Sequence, residues 1–327
     1  MKILVTGANG LLGHHVVFEL LKQKHEVRII VRSTQNIYFD LNQVEVFEGN
    51  FTDANQLKQA AEVCDGIIHI AAVTATDLLH YEDYRKVNAD GARTITEVAG
   101  QLGIKTIVFV STANTIGFGN PTQLADETCQ VQFPFTESFY ARSKVEAEQI
   151  FIKHANQSDN RVVIINPTFM IGAYDPKPSS GKLILMGYRK RLMAIPGGGK
   201  NFVSVSAVAC ATCNALTNGK SGERYLASGV NLSFAEFYKL QSRVGGYNQF
   251  LIRIPDFLLI LVGKIGDWIR KCGIKTEVCS MNLSQLMIQE YYSNTKAKQQ
   301  LALPDTELET AIREALNWFY PKPLKGS

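Results

Sequence analysis

The sequence predicts an α/β chain built on a doubly wound parallel sheet, with a smaller, mostly helical lobe towards its C-terminal end. Three observations predict it. Short β-branched runs alternate with helical patterns through the first half of the chain. The first run leads through a glycine-spaced turn straight into a helix, Lys2-Ile-Leu-Val-Thr-Gly7-Ala-Asn-Gly10-Leu-Leu-Gly13. After Gly172 the texture changes, first to loop and then mostly to helix. Strand–helix alternation implies parallel strands joined by right-handed crossovers, the architecture in which ligands sit beyond the carboxyl ends of the strands.

Strands are expected, in order, at 3–6, 27–31, 44–48, 66–70, 106–111 and 162–166. Each is a short β-branched run, as in a sheet covered on both faces. Helices fall between them at 11–24, 52–61, 84–102 and 138–155. The segment 173–181 reads as a loop, followed by a basic helix to about Leu192 and then Ile195-Pro-Gly-Gly-Gly199. Strands at 202–206 and 224–228 are expected to return to the sheet, with Ser204 or Ser206 capping the helix between them. From Asn231 onward the pattern is helical, apart from a short strand near 250–254. The expected division is a first domain of 1–172 plus 200–230 and a second lobe of 173–199 plus 231–327 that closes over its cleft.

Bulk properties exclude several classes. A chain of 327 residues with 46% hydrophobic residues can bury a full core. A net charge of +4, with Lys and Arg scattered, reads as solvated surface rather than a nucleic-acid footprint. No run reaches the ~18 apolar residues of a membrane span. The longest candidate, Phe257-Leu-Leu-Ile-Leu-Val262, is broken by Gly263 and Lys264, so it is expected to be a core or interface helix rather than a membrane contact. Residues 1–6 already read as a buried strand rather than a leader, so a cytoplasmic protein is expected. Cys210 and Cys213 have C-x-x-C spacing but lie in an alanine-rich helical run without a second close pair. They are expected to be reduced, buried thiols, and no metal site is expected.

The turn after the first strand carries the first functional signal. Glycine permits the tight turn, the close approach of backbone to a pyrophosphate, and close packing of helix on strand. The helix start then offers free N–H groups to phosphates. Gly7, Asn9, Gly10, Leu11, Leu12 and Gly13 are thus the expected dinucleotide seat. The second strand ends on Arg32, and no acid follows until Asp40. A ribose-binding carboxylate is missing where NAD-specific folds carry one, whereas a guanidinium suits a 2′-phosphate. NADP is therefore preferred over NAD.

Tyr140 and Lys144 carry the second. They lie one helical turn apart in Tyr140-Ala-Arg-Ser-Lys144. A free phenol has a pKa of about 10. An ammonium beside it, and the positive ring of an oxidised nicotinamide, favour the phenolate. Tyr140 can then give a proton to a carbonyl or take one from an alcohol. A third group should polarise the substrate oxygen, and Ser111 or Thr112, where the fifth strand leaves the sheet, offers the hydroxyl.

Over nearly the whole chain these pieces resemble the extended short-chain dehydrogenase/reductase family, the NAD-dependent epimerase/dehydratase superfamily. The resemblance rests on Thr6-Gly-Ala-Asn-Gly-Leu-Leu-Gly13, Gly49-Asn-Phe-Thr-Asp53, His69-Ile-Ala-Ala72, Asn88-Ala-Asp-Gly91, Ser111-Thr-Ala-Asn-Thr-Ile-Gly117, the Tyr140 motif and Asn166-Pro-Thr-Phe-Met-Ile-Gly172. It implies that Thr112 is the catalytic hydroxyl beside Tyr140 and Lys144. It also implies that Asn50 and Phe51 flank the adenine, that Ala71, Ala72 and Val73 line the cofactor, and that Pro167 and Thr168 lie near the nicotinamide. Asn88 and Val110 complete the expected cofactor set. The 166–172 segment is similar to the dihydroflavonol reductase-like and hopanoid-associated epimerase-like branch, with Phe169 where sugar-nucleotide enzymes carry a polar residue. Substrate contacts are expected from Thr74, Asn114, Phe169, Met170 and the 175–182 loop, and a phenylalanine facing the cleft implies an apolar substrate. Two positions depart from the family pattern: Asn50 and Ala207 each stand where an aspartate is usual.

The resulting expectation is an NADP(H)-dependent oxidoreductase that reduces a ketone or aldehyde by hydride transfer. The alternatives are a nucleotide-sugar epimerase or dehydratase with a recycled cofactor, and a non-catalytic dinucleotide-binding sensor. A homodimer through helices 84–102 and 138–155 is expected by analogy with the family.

Overall fold

A computed structural model describes residues 1–321 of the chain. The last six positions of the expected second lobe, 322–327, lie outside the described residues. In chain order the structure runs β1 (Lys2–Thr6), α1 (Leu11–Lys22), β2 (Glu26–Val31), β3 (Glu45–Glu48), α2 (Ala54–Ala61), β4 (Gly66–His69), α3 (Tyr81–Leu102), β5 (Thr106–Val110), α4 (Phe139–Gln157) and β6 (Arg161–Pro167). It continues with β7 (Phe169–Ile171), α5 (Gly181–Gly187), β8 (Leu192–Ile195), β9 (Gly199–Ser204), α6 (Val205–Asn214), β10 (Arg224–Ala227) and β11 (Val230–Ser233). The remainder is α7 (Phe234–Val244), β12 (Phe250–Arg253), α8 (Asp256–Lys271), α9 (Ser280–Ser284), β13 (Gln289–Glu290), α10 (Thr295–Leu301) and α11 (Leu308–Phe319).

Seven strands form one parallel sheet in the order β10-β6-β5-β4-β1-β2-β3. The strand order reverses between β1 and β4, which opens a crevice at the carboxyl ends of those strands. Successive side chains of a strand face opposite ways, so each strand feeds two cores. Ile3, Val5, Val108 and Val110 pack with α1 and α6, while Leu4, Ile107 and Phe109 pack with α2, α3 and α4. Helix starts follow local capping chemistry. Asp53 accepts from the amides of Asn55 and Gln56 at α2, and Ser138 accepts from that of Ala141 at α4.

The C-terminal part corrects several expectations, and from Val230 onward it adds the strands β11 and β13 to the one expected near 250–254. The strand expected at 202–206 does not return to the main sheet. It is β9, which pairs with β7, β11 and β13 in a second, smaller sheet. The basic helix expected to reach Leu192 stops at Gly187, and Leu192–Ile195 becomes a strand beside β12. Residues 192–195 alternate exposed and buried, a period that suits a half-buried strand. A third core, with Phe202, Phe234, Phe237, Ile312 and Leu316, joins this second sheet to α5, α7 and α11. Ser204 stands at the start of α6, but its hydroxyl meets that of Ser206 at 2.7 Å and caps no amide. Cys213 is buried and Cys210 partly so, and burial pushes both thiols up.

Candidate active site

A cleft of about 470 Å³ lies along the carboxyl ends of β1, β2, β4 and β5. Gly7 begins it. Its φ of +76° is in the left-handed region, and a Cβ there would sit 2.6 Å from the Ala71 nitrogen, so only glycine lets these two turns approach. The facing turn is pinned from behind. The Thr6 hydroxyl meets His69 Nδ1 at 2.8 Å and accepts from the Ile70 and Ala71 amides at 3.2 Å. Burial holds His69 down at about 3, so this imidazole is a neutral structural partner.

The cleft brings together Gly7, Asn9, Gly10, Leu11, Leu12, Arg32, Asn50, Phe51, Ala71, Ala72, Val73, Val110, Tyr140 and Lys144, with Thr74 and Met170. Ser111, Asn36, Asp175, Lys177 and Ser179 line it too, without having been singled out as contacts for the dinucleotide. Three observations fit this wall to a dinucleotide. No side chain caps α1 at Gly10, so its first-turn amides are open to an anion. A Cβ at Gly10 would meet only the Gly7 carbonyl oxygen, at 3.5 Å, which leaves the backbone approachable. The Ser111 Oγ is buried in the lining and finds no hydrogen-bond partner among the described residues, a group that a polar ligand satisfies. Among the described residues, Arg32 is exposed at the end of β2 and no carboxylate pairs with it.

Other expected residues lie elsewhere. Gly13 does not face the cleft: a Cβ there would sit 2.1 Å from the Gly7 carbonyl oxygen, so it packs α1 against the turn. Asn88 is buried behind the lining. Its side chain accepts from the Val73 amide at 2.8 Å and donates to the Val73 carbonyl at 3.1 Å and to the Ser143 hydroxyl at 2.9 Å, fixing that loop to α4. Pro167 ends β6 away from the lining, and the Thr168 hydroxyl donates to Asn201 Oδ1 at 2.7 Å. Phe169 packs edge-on against Phe202, 5.6 Å between centroids, and belongs to the third core. Asn114 is outside the lining, and its amide donates to the Thr112 hydroxyl at 3.3 Å.

Around Tyr140 the geometry is compact. Thr112 caps the short turn after β5, where its hydroxyl accepts from the Asn114 amide, and the same hydroxyl acts on the Tyr140 phenol. Although part of Tyr140 borders the cleft, burial pushes its pKa up to about 12, and the Thr112 hydroxyl only partly offsets this. The expected depression by Lys144 is not present. Lys144 is buried, donates to the Val110 carbonyl at 2.8 Å and lies 4.1 Å over the Phe109 ring. Burial pulls it down to about 7, against the attraction of Glu148. The ammonium is thus poorly stabilised and directed at the sheet, and this explains its weak hold on the phenol.

A buried network supports Thr112. Glu148 accepts from the Thr115 hydroxyl and from Asn166 Nδ2, both at 2.7 Å, and Asn166 Nδ2 also donates to the Thr112 carbonyl at 3.1 Å. Arg224 approaches Glu148 at 3.7 Å. Glu148 stands one helical turn after Lys144, a spacing visible in the sequence but silent about the partner it would find.

Comparison with known proteins agrees with this anatomy. A Synechocystis protein that carries the name dihydroflavonol 4-reductase is 29% identical over 96% of this chain and 93% of its own. The sterol demethylase protein B of Methylococcus capsulatus is 26% identical over 98% of both chains. The decarboxylating sterol-4-alpha-carboxylate 3-dehydrogenase of Candida albicans is 25% identical over 97% of both. Among solved structures, that of gox2253 superposes with a TM-score of 0.84 at 27% identity, covering 98% of each chain. A Thermotoga maritima UDP-glucose 4-epimerase shares the fold, with a TM-score of 0.77 at 19% identity over 98% of this chain and 99% of its own. The pattern of the NAD dependent epimerase/dehydratase family matches residues 3–227, and the chain belongs to that family of extended short-chain dehydrogenases/reductases.

Proposed function

We propose that the protein is an NADP(H)-dependent reductase of a ketone or aldehyde on a fairly apolar substrate. The observation that carries this reading is one cleft lined by Tyr140 and Lys144, by the Gly7–Leu12 turn and by Arg32. When bound, a reduced dinucleotide would supply the hydride for the carbonyl carbon. The open amides of α1 would hold its phosphates, and Arg32 would pair with a 2′-phosphate. Lys144 and the orphaned Ser111 hydroxyl orient the nicotinamide end. Thr112 donates to the substrate oxygen, and Tyr140 delivers the proton that completes the alcohol.

Phe169 does not support an apolar substrate, because it serves the core. Met170 lines the cleft, and the sterol and dihydroflavonol names of similar proteins point the same way. The second lobe is proposed to begin at the 173–199 segment, which brings Asp175, Lys177 and Ser179 to the cleft. Self-association through α3 and α4 remains part of the proposal.

The test is Tyr140→Phe. Turnover of NADPH with a carbonyl panel should fall by roughly 10²–10⁴-fold, with dinucleotide affinity within a few-fold of the parent. Unchanged turnover removes Tyr140 from the reaction. Epimerisation without net NADPH consumption points instead to recycling.

A further inference from the structure

We propose that α8 seats the protein on an anionic lipid bilayer. The helix was expected to be covered, in a core or an interface. In the structure only Leu259, Gly263 and Gly266 of its 16 residues are buried. Phe257, Leu261, Ile265 and Trp268 follow one another at helical spacing and are 66%, 55%, 52% and 68% exposed. Leu258, Ile260 and Val262 flank them, also exposed. Single exposed apolar residues are ordinary, but a contiguous helical face of this kind marks an interaction surface.

The orientation of that face is built in. A Cβ at Gly266 would sit 1.9 Å from the Val278 carbonyl oxygen, and one at Gly263 would sit 2.8 Å from Ser280 Cα. Asp267 accepts from the Ser280 amide at 3.0 Å. The glycine face is therefore locked against 278–280, and the apolar face can only look outward.

Charge selects the occupant. Lys264, Lys271 and Lys275 are exposed on or just after the helix, and among the described residues no carboxylate pairs with them. Of the nearby acids, Asp267 bonds the Ser280 amide and Glu277 pairs with Lys182 at the surface, while Asp256 stands exposed at the far, N-terminal end of the helix from Lys271 and Lys275. Apolar side chains with a Trp, carrying Lys264 within the stripe and Lys271 and Lys275 at its C-terminal end, match the acyl boundary and anionic headgroups of a bilayer surface, Lys264 reaching the headgroups along its apolar stem. The helix is too short to span it, since no helix of the described residues is long and apolar enough to cross a membrane. Docking here also has a link to the cleft. Arg270 donates to the Thr76 and Leu78 carbonyls at 3.3 and 2.7 Å, on the loop that follows the cleft residue Thr74.

The experiment is flotation of the full chain with vesicles of phosphatidylcholine alone or mixed with phosphatidylglycerol. Binding to the mixed vesicles, weakened by salt, is expected, with a blue shift of Trp268 emission that Trp268→Phe removes. Leu261→Ser with Ile265→Ser should cut partitioning by ~10-fold or more. Lys271→Glu with Lys275→Glu, at and beyond the end of the helix, should abolish the preference for the anionic lipid. Three results overturn the proposal: no flotation with either vesicle, equal and salt-insensitive binding to both, or a lipid-free dimer that Leu261→Ser dissociates. None of these measurements depends on turnover, so their failure leaves the reductase reading standing, and failure of that reading leaves docking standing.

Discussion

Lys144→Met separates electrostatics from packing. The ammonium is disfavoured by burial, and its pKa falls from 10.5 to about 7. A base whose native value is depressed releases its proton on folding between those two values. Its penalty is therefore fully present below about pH 7 and disappears as pH rises towards 10.5. The fall corresponds to about 5 kcal/mol in total, at ~1.4 kcal/mol per pH unit through the window. Methionine removes the charge at similar volume. It also removes the donor to the Val110 carbonyl, which costs about 1–3 kcal/mol at every pH. Urea unfolding of parent and variant at about pH 7.5, 8.5 and 9.5 measures the difference. Near pH 7.5 the variant should be the more stable by about 1–3 kcal/mol, and the two curves should converge as pH rises. The difference in slope, close to one proton, carries the argument, because the lost hydrogen bond shifts the curve without tilting it. Parallel curves would refute the claim that Lys144 is buried against its charge.

Two further substitutions test the dinucleotide wall. Arg32→Glu should weaken NADPH binding by roughly 10–100-fold, the value of a charge-assisted hydrogen bond, and should leave or improve NADH binding; calorimetric titration with both dinucleotides measures this, and equal losses for the two would withdraw Arg32 as the 2′-phosphate partner. Gly13→Ala places a Cβ 2.1 Å from the Gly7 carbonyl oxygen and 2.7 Å from Ala8 Cα. It should destabilise the fold by about 3 kcal/mol or more, read as a fall in Tm, whereas an unchanged Tm would mean that α1 has room the structure does not show.

The sheet was legible because its signals are local. A β-branched run such as Ile107-Val-Phe-Val110 can be satisfied only between two covered faces, and it lies there, with alternate residues in two cores. The Gly7 turn was legible for the same reason, since the residue type states the backbone it permits. What failed depended on partners distant in sequence. Nothing in Phe202-Val-Ser204 says that it should pair with Phe169-Met-Ile171 rather than with the main sheet. Phe169 reads equally well as a pocket wall or a core ring until Phe202 is placed beside it. Asn88 belongs to a motif, yet whether it touches a ligand or holds the loop that does is a matter of a few ångströms. The apolar Phe257 run predicts a covered helix, and only the packing of Gly263 and Gly266 shows that it faces outward.

Glu148 ties the proton-transfer groups into one unit, and this can be separated from simple support. It holds Asn166, which holds the Thr112 carbonyl, and its charge raises the pKa of Lys144 against burial. Glu148→Gln keeps an acceptor for Asn166 and removes the charge. Lys144 should then titrate below about 7, so at neutral pH fewer molecules carry the ammonium proposed to orient the nicotinamide end. The alkaline limb of the kcat/KM profile, which reports the free enzyme, should move to lower pH, and the rate lost at neutral pH should return at mildly acidic pH. Glu148→Ala removes the acceptor as well, lets Asn166 and Thr112 shift, and should lower kcat across the whole profile. If the glutamine variant instead loses activity equally at every pH, Glu148 is only a brace for Thr112, and the coupling of Lys144 to it plays no part in the proton transfer.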